Sequence, residues 1–152
     1  LFQELVQDGL DQTPTSHLRA ALDLVTGQPL SGTEEDRYAW ADTDRQEIVA
    51  AVADVAHELA RRALDIGDAR TATLAAAKGL DVEPVSEALW RDAIAAAWST
   101  GRPGRAQQVI ADCRRRLDEY GDLEDETIDL INDVLTRVRA AQTEATPEPV
   151  HT

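Results

Sequence analysis

The sequence has few of the residues that build metal sites and disulfides, and it has no long hydrophobic run. It holds one cysteine, Cys113, and three histidines, so it lacks both a partner for an intramolecular disulfide and a cysteine cluster for a metal ion. No apolar run reaches the roughly 18–20 residues that cross a bilayer. Methionine is absent and the chain opens at Leu1. We therefore expect part of a longer protein, either cytoplasmic or the cytoplasmic part of a membrane-anchored protein, with no membrane span in this part.

Signatures of catalysis are also absent. The sequence contains no GxSxG nucleophile elbow, no phosphate-binding P-loop and no GxGxxG turn. His57 and Glu58 resemble the start of a zinc-binding HExxH helix, but Arg61 stands where the second histidine would be. We interpret His57 as a partly buried structural residue and Cys113 as a small core residue. The sequence thus predicts no enzyme, no metal site and no cofactor.

Cationic residues are scarce relative to acidic ones. The sequence has 15 Lys and Arg against 29 Asp and Glu, which gives a formal net charge of −14. A field of this sign repels phosphate backbones, so we expect no direct nucleic-acid binding by this chain. The proportions of hydrophobic residues, 43%, and charged residues, 29%, are typical of a folded globular domain.

No segment shows the alternation of a β-strand, and apolar residues recur instead at helical spacing. The clearest case is a long amphipathic helix predicted over residues 44–66. A second is the helix predicted over 124–141, with a stripe of Ile128, Ile131, Leu135 and Val138. The remaining predicted helices cover residues 1–10, 17–26 after a capping Ser16, 69–80 stopped by Gly79 and Pro84, 86–101 opening at Ser86, and 105–120.

Two units in the middle of the chain repeat with a period of 34 residues. Gly67 and Gly101 are separated by this period, and each ends an amphipathic helix. Pro84 closes the first unit, and Trp90 places a large ring near the start of the second. A 34-residue helix–turn–helix period is the signature of tetratricopeptide repeats; the alternative is a helical bundle with a coincidental period. We predict an all-α fold of tetratricopeptide-like helical hairpins with capping helices. The same offset pairs Ala63 with Ala97, Leu64 with Trp98, Ala72 with Ala106, and Ala76 with Ile110.

Repeat stacks present one groove, which the first helices of the units line. Trp98 is predicted to line this groove, and a position in the core is an equal alternative for it. Arginines on the helix predicted over 105–120 and on its lead-in offer either a patch for an acidic partner segment or ion pairs with neighbouring acids, and we favour ion pairs. The predicted partner-binding residues are Arg61, Trp90, Arg91, Ala97 and Trp98. The arginines of the helix predicted over 105–120 and of its lead-in are Arg102, Arg105, Arg114, Arg115 and Arg116.

Several stretches resemble a known family when they are taken in order. They are LRAALDLVTGQPLSG at 18–32, RYAWAD at 37–42, AHELARRALDIGD at 56–68, SEALWRD at 86–92, CRRRLDEYG at 113–121 and DETI at 125–128. Over residues 15–139 the chain resembles the bacterial transcriptional activator domain. The resemblance implies a tetratricopeptide-like fold. We predict this domain over 15–141, with a lead-in at 1–14. Residues 142–152 contain two prolines and no packing residues, so we expect a flexible tail there.

The resemblance also implies a function for the domain. In actinobacterial antibiotic regulatory proteins this domain follows a winged-helix DNA-binding domain and supports dimerisation and regulation. A similar domain ends larger proteins with membrane helices and a LysM module, and residues 37–42 and 55–64 look closer to that group. The implied function is a protein-interaction or self-association domain of a larger actinobacterial regulatory protein, with a protein partner or a homodimer. The alternative is a small-ligand sensory domain that controls an attached DNA-binding or envelope-associated module.

Overall fold

The computed structural model describes residues 9–26 and 42–145, and within these ranges all regular structure is helical. The all-α prediction is therefore confirmed. Residues 1–8 of the first predicted helix, and most of the aromatic stretch 37–42, lie outside the described residues. The α-helices are α1 (Thr15–Thr26), α2 (Asp42–Asp65), α3 (Ala69–Val82), α4 (Glu87–Ser99), α5 (Pro103–Leu117) and α6 (Asp125–Ala145). Short 3-10 turns cover Leu10–Gln12 and Asp118–Tyr120.

Two helical hairpins, α2–α3 and α4–α5, repeat with the predicted period. Their first helices end 34 residues apart, and their second helices begin 34 residues apart. The connecting turns contain Gly67 and Gly101, each with φ of 76°. This left-handed conformation favours glycine, which has no Cβ to clash. The predicted helical-repeat fold is confirmed, with α1 before the hairpins and α6 after them.

Helix starts follow from local capping chemistry. Ser86 caps α4 as predicted, because its side chain accepts a hydrogen bond from the Leu89 amide. Asp68 caps α3 by accepting from the Thr71 amide at 3.1 Å. The prediction for α1 was wrong in detail, since this helix begins at Thr15 and Ser16 lies inside it. The carbonyl of Pro14 accepts the first amide bonds there instead.

Gly79 does not end α3 as predicted. The helix continues to Val82, and Gly79 is a buried residue inside it. A Cβ at this position would lie 2.7 Å from the Ala56 Cβ and 2.8 Å from the Leu89 side chain. The missing side chain therefore lets α3 approach both α2 and α4, so the glycine serves packing rather than termination.

Two main hydrophobic clusters and a small alanine cluster form the core. The alanine cluster, Ala63, Ala72 and Ala96, lies between the two hairpins. Cys113 is buried in the second main cluster, as predicted for a core thiol. The first main cluster contains Leu18, Leu22, Val52, Val55, Leu59 and Leu89, and the second contains Ile94, Val109, Ile110, Leu117, Ile131, Val134 and Val138.

The buried stripe of α6 differs from the prediction at two of its four positions, since Thr127 and Val134 are buried in place of Ile128 and Leu135. Ile128 is exposed, whereas the neighbouring Thr127 is fully buried. Ile131 and Val138 are buried as predicted. A polar residue at 127 is tolerated because its hydroxyl accepts a hydrogen bond from Arg91, described below. The helix also continues to Ala145, past its predicted end at residue 141.

Candidate interaction face

Helices α2 and α4, the first helices of the two hairpins, lie in contact, and charged residues line one side of that contact. We call this the α2–α4 face and define it by His57, Glu58 and Arg61 of α2 and Arg91 and Asp92 of α4. Each of these residues exchanges a hydrogen bond or an electrostatic interaction with at least one other member of the group. Two of the predicted partner-binding residues, Arg61 and Arg91, therefore lie on one face.

His57 and Asp92 join the two hairpins. The imidazole Nδ1 lies 2.5 Å from the Asp92 Oδ2. Asp92 is only 7% exposed, whereas 43% of the His57 side chain is exposed. The hydrogen bond to Asp92 raises the pKa of His57 above its ordinary value, although burial opposes this. Burial raises the pKa of Asp92, while its bond to His57 opposes that shift.

Glu58 is a buried carboxylate that two arginines neutralise. Arg61 binds it through two nitrogens, with Nη2 to Oε1 at 2.7 Å and Nε to Oε2 at 3.1 Å. Arg62 donates from Nε to Oε1 at 2.9 Å. The hydrogen bond from Arg61 lowers the pKa of Glu58 below its ordinary value. This bidentate pairing fixes the Arg61 guanidinium, yet 51% of its side chain stays exposed.

Arg62 binds Glu58 of the face through Nε and, through its two other nitrogens, ties α2 to the start of the described chain. Its Nη1 donates to the carbonyl of Thr13 at 2.6 Å, and its Nη2 donates to the carbonyl of Leu10 at 2.8 Å. The two adjacent arginines of α2 therefore have different roles. The Arg61 side chain is half-exposed at the surface, whereas the Arg62 side chain is mostly buried and donates to Glu58 and to the carbonyls of Thr13 and Leu10.

Arg91 connects the second hairpin to α6. Its Nη1 donates to the Thr127 hydroxyl at 2.9 Å, and its guanidinium lies 3.5 Å from a carboxylate oxygen of both Glu124 and Glu126. Glu87 strengthens this junction by accepting a hydrogen bond from the Glu124 amide at 2.8 Å. The side chain of Arg91 is mostly buried, and its donors bind groups at the beginning of α6.

The other three predicted partner-binding residues pack against the second core cluster or lie inside it. Trp90 is half-buried, and its Nε1 donates to the Pro84 carbonyl at 2.9 Å. Trp98 is also half-buried and packs against this cluster. Its position therefore agrees with the core alternative given for Trp98 in the sequence analysis. Ala97 is 4% exposed. Its methyl group belongs to the core, so the expectation that Ala97 lines a surface groove is corrected.

The arginines of the helix predicted over 105–120, now α5, include the predicted ion pairing. Arg115 pairs with Asp112 three residues earlier, and Arg105 donates to Gln108 at 3.2 Å. Arg115 and Arg116 also line an open cleft of about 560 Å³ beside Trp90 and Tyr120. Acidic side chains line the same cleft, so it combines both signs of charge.

The family model for the bacterial transcriptional activator domain matches residues 2–135. The chain belongs to this family. The match includes α1 to α5 and the first half of α6, and therefore both hairpins and the whole α2–α4 face. Comparison with curated proteins and with solved structures gives no match.

Sequence reasoning missed Asp92, the central acid of the face in this transcriptional activator domain. Asp92 follows Leu89 by three positions and precedes Ala96 by four, so it lies on the buried stripe of α4. A carboxylate in an apolar stripe is a signal that a buried partner is needed. That signal does not identify the partner, because His57 comes from a different helix.

Two findings bear on membrane and metal chemistry in this domain. Among the helices that the structure describes, none is both long and apolar enough to cross a membrane. Within the described ranges, no group of three or more His, Cys, Asp or Glu side chains is placed to hold a metal ion. His57 instead binds a carboxylate of the neighbouring hairpin, which is a structural contact.

Proposed function

We propose that this chain is a non-enzymatic protein-interaction or self-association domain of a larger regulatory protein. The observation that supports it best is the pair of hairpins with a 34-residue period, which places α2 and α4 in contact. Stacks of such repeats use the extended surface of adjacent helices to bind partners. Membership of the transcriptional activator domain family agrees with a regulatory role.

Arg61 is the residue of the α2–α4 face that best fits a binding role. Its guanidinium is held by the buried Glu58, so little side-chain entropy remains to be lost on binding. It is half-exposed, and arginine is enriched at the energetically important positions of interfaces. Trp90, Arg91 and Trp98 remain proposed contributors through their partly exposed surfaces, whereas Ala97 contributes only to the core.

The partner is a protein or a second copy of this chain. A net charge of −14 supports a protein partner over a direct contact with nucleic acid. We place the domain in the cytoplasm of an actinobacterium, attached either to a winged-helix DNA-binding domain or to an envelope-associated LysM protein. This finer assignment is based on the similarity of residues 37–42 and 55–64 to the second group.

The test compares Arg61→Gln with Arg137→Gln. Arg137 is a matched control, because it is also half-exposed and forms an ion pair with Asp133 four residues away on α6. Sedimentation equilibrium of the 152-residue chain measures self-association, and affinity capture compares the proteins retained by each variant. We expect Arg61→Gln alone to weaken dimerisation or to lose one specific partner. A chain that stays monomeric and retains no protein in an Arg61-dependent manner would contradict the proposal.

A second candidate, a small-ligand sensory domain, is favoured by a cleft of about 310 Å³. Leu59, Ala63 and the exposed Ile66 give it an apolar wall, and Arg19 and Asp68 lie at its edge. This volume is at the lower end of the roughly 300–1,000 Å³ typical of ligand pockets. A ligand that binds the folded state raises the Tm. A metabolite that raises the Tm of the wild type but not of Ile66→Ser would support this candidate.

A further inference from the structure

The contact between His57 and Asp92 crosses from the first hairpin to the second. His57 is on α2, Asp92 is on α4, and their side chains are separated by 2.5 Å. The carboxylate is buried, whereas the imidazole has access to water and therefore to protons. Burying an ionised carboxylate is costly unless a partner compensates its charge. The stability of this contact therefore depends on whether the imidazole is charged.

Charged groups from three helices act on this pair. On α2, Glu58 favours protonation of His57, and on α4, Arg91 opposes it. Arg61 of α2 lowers the pKa of Asp92, and Glu58 binds the same guanidinium. Glu124, just before α6, and Glu126 in its first turn pair with Arg91, which partly neutralises this opposing cation. Asp92 itself is the strongest influence on His57, through a direct hydrogen bond.

We propose that His57 is a proton-dependent contact between the two hairpins. When the imidazole is protonated, it compensates the buried Asp92 carboxylate as an ion pair and holds α4 against α2. When the imidazole is neutral, it can still donate a hydrogen bond to the carboxylate, but its positive charge no longer compensates the buried negative charge, and the interface between the hairpins is weakened. The relative position of α2 and α4 would then respond to pH near neutrality, independently of which partner the face binds.

The direction of the pH dependence follows from the shift of the titration. The pKa of His57 in the folded chain is raised above the ordinary value of 6.5. The stabilisation is therefore fully present below about pH 6.5 and is lost as the pH rises through the folded pKa. The burial of Asp92 acts in the same direction. Burial raises the pKa of this carboxyl group, so the folded chain becomes less stable when the group ionises as the pH rises.

The direct test is an NMR titration of the histidines in the 152-residue chain between about pH 5 and 9. We expect the His57 midpoint to lie above 6.5, and amide signals of both α2 and α4 to shift with the same midpoint. Asp92→Asn should return the His57 midpoint to 6.5 or below, since burial and Arg91, which both lower the pKa of His57, then act without the carboxylate. A wild-type midpoint at or below 6.5, or amide shifts confined to α2, would overturn the proposal.

The second test measures urea unfolding across the same pH range. The wild-type midpoint should fall as the pH rises through the His57 titration, and the fall should be smaller in His57→Gln, where the ionisation of Asp92 is the remaining contribution of the pair. Glutamine can still donate a hydrogen bond to Asp92 but does not titrate, and the half-exposed position tolerates the change. His17→Gln is the matched control, because His17 is exposed at the start of α1. Equal pH dependence in His57→Gln and the wild type would contradict the proposal, and the wild-type titration decides the question if a variant does not fold.

Discussion

Gly79 of α3 packs so closely against Leu89 of α4 that a Cβ at position 79 would lie 2.8 Å from both δ-carbons of that leucine. The Ala56 Cβ is as near on the other side, at 2.7 Å. Real Cβ atoms do not approach other heavy atoms to this distance, so a methyl group here must displace a helix or a buried side chain.

We therefore expect Gly79→Ala to lower the free energy of unfolding by about 1–3 kcal/mol, the usual cost of overpacking a core. The gain in helix propensity, up to about 1 kcal/mol, offsets only part of this cost. Urea denaturation measures the difference. Gly104→Ala in α5 is the matched control, because a Cβ there meets no atom within 4 Å. Equal stability of the two variants would show that α3 can shift without cost.

Removing the Arg91 guanidinium should loosen the attachment of α6 to the second hairpin. Arg91→Met keeps the aliphatic stem but leaves the buried Thr127 hydroxyl without its donor. An unpaired buried polar group costs about 1–3 kcal/mol. Hydrogen exchange should accelerate in α6 more than in α2 or α3. The control Arg137→Met removes an exposed ion pair of α6 and should leave exchange unchanged.

Glu58 should make the domain sensitive to acid. The bonds from Arg61 and Arg62 lower the pKa of Glu58 below its ordinary value of 4.5. Its stabilisation is therefore present above about pH 4.5 and is lost as the pH falls through the lower folded pKa. Thermal unfolding between pH 2 and 6 should show this loss in the wild type and a smaller loss in Glu58→Gln. A variant with the full wild-type acid sensitivity would assign that sensitivity to other carboxylates.

The thiol of Cys113 should be unreactive in the folded chain. Burial raises the pKa of Cys113 to about 11, so almost no thiolate is present at neutral pH. Labelling with a thiol-reactive disulfide reagent at pH 7.5 should be slow without denaturant and fast in urea. Because Cys113 is the single cysteine of the sequence, the absorbance of the thiol that the reagent releases measures labelling at this site alone. Rapid labelling of the folded chain would show that the second core cluster opens easily.

The helical hairpins were predictable because their signals are local. Gly67 and Gly101 mark turns that need a positive φ, and Ser86 caps the helix that follows it. The role of Gly79 was not predictable in this way. A glycine near a helix end is read as a terminator, and only its contacts with Ala56 and Leu89 show that it permits close packing.

The candidate face was predictable only in part, for a similar reason. Arg61 and Arg91 were selected from their positions on the first helices, and both lie close enough to Asp92 to lower its pKa. The bond from His57 to Asp92 joins residues of two helices, and helical periodicity within either one does not specify it. Ala97 was misplaced because alanine fits a core and a groove equally well in a sequence rich in alanine.

The alanine cluster between the hairpins has a consequence for the shape of the stack. Ala63, Ala72 and Ala96 have no side-chain torsions to adjust, and their methyl groups let the backbones of α2, α3 and α4 lie close together. The spacing between the hairpins at this point is thus encoded in three of the smallest side chains of the domain. A larger residue at any of these positions would force these helices apart without altering an exposed residue.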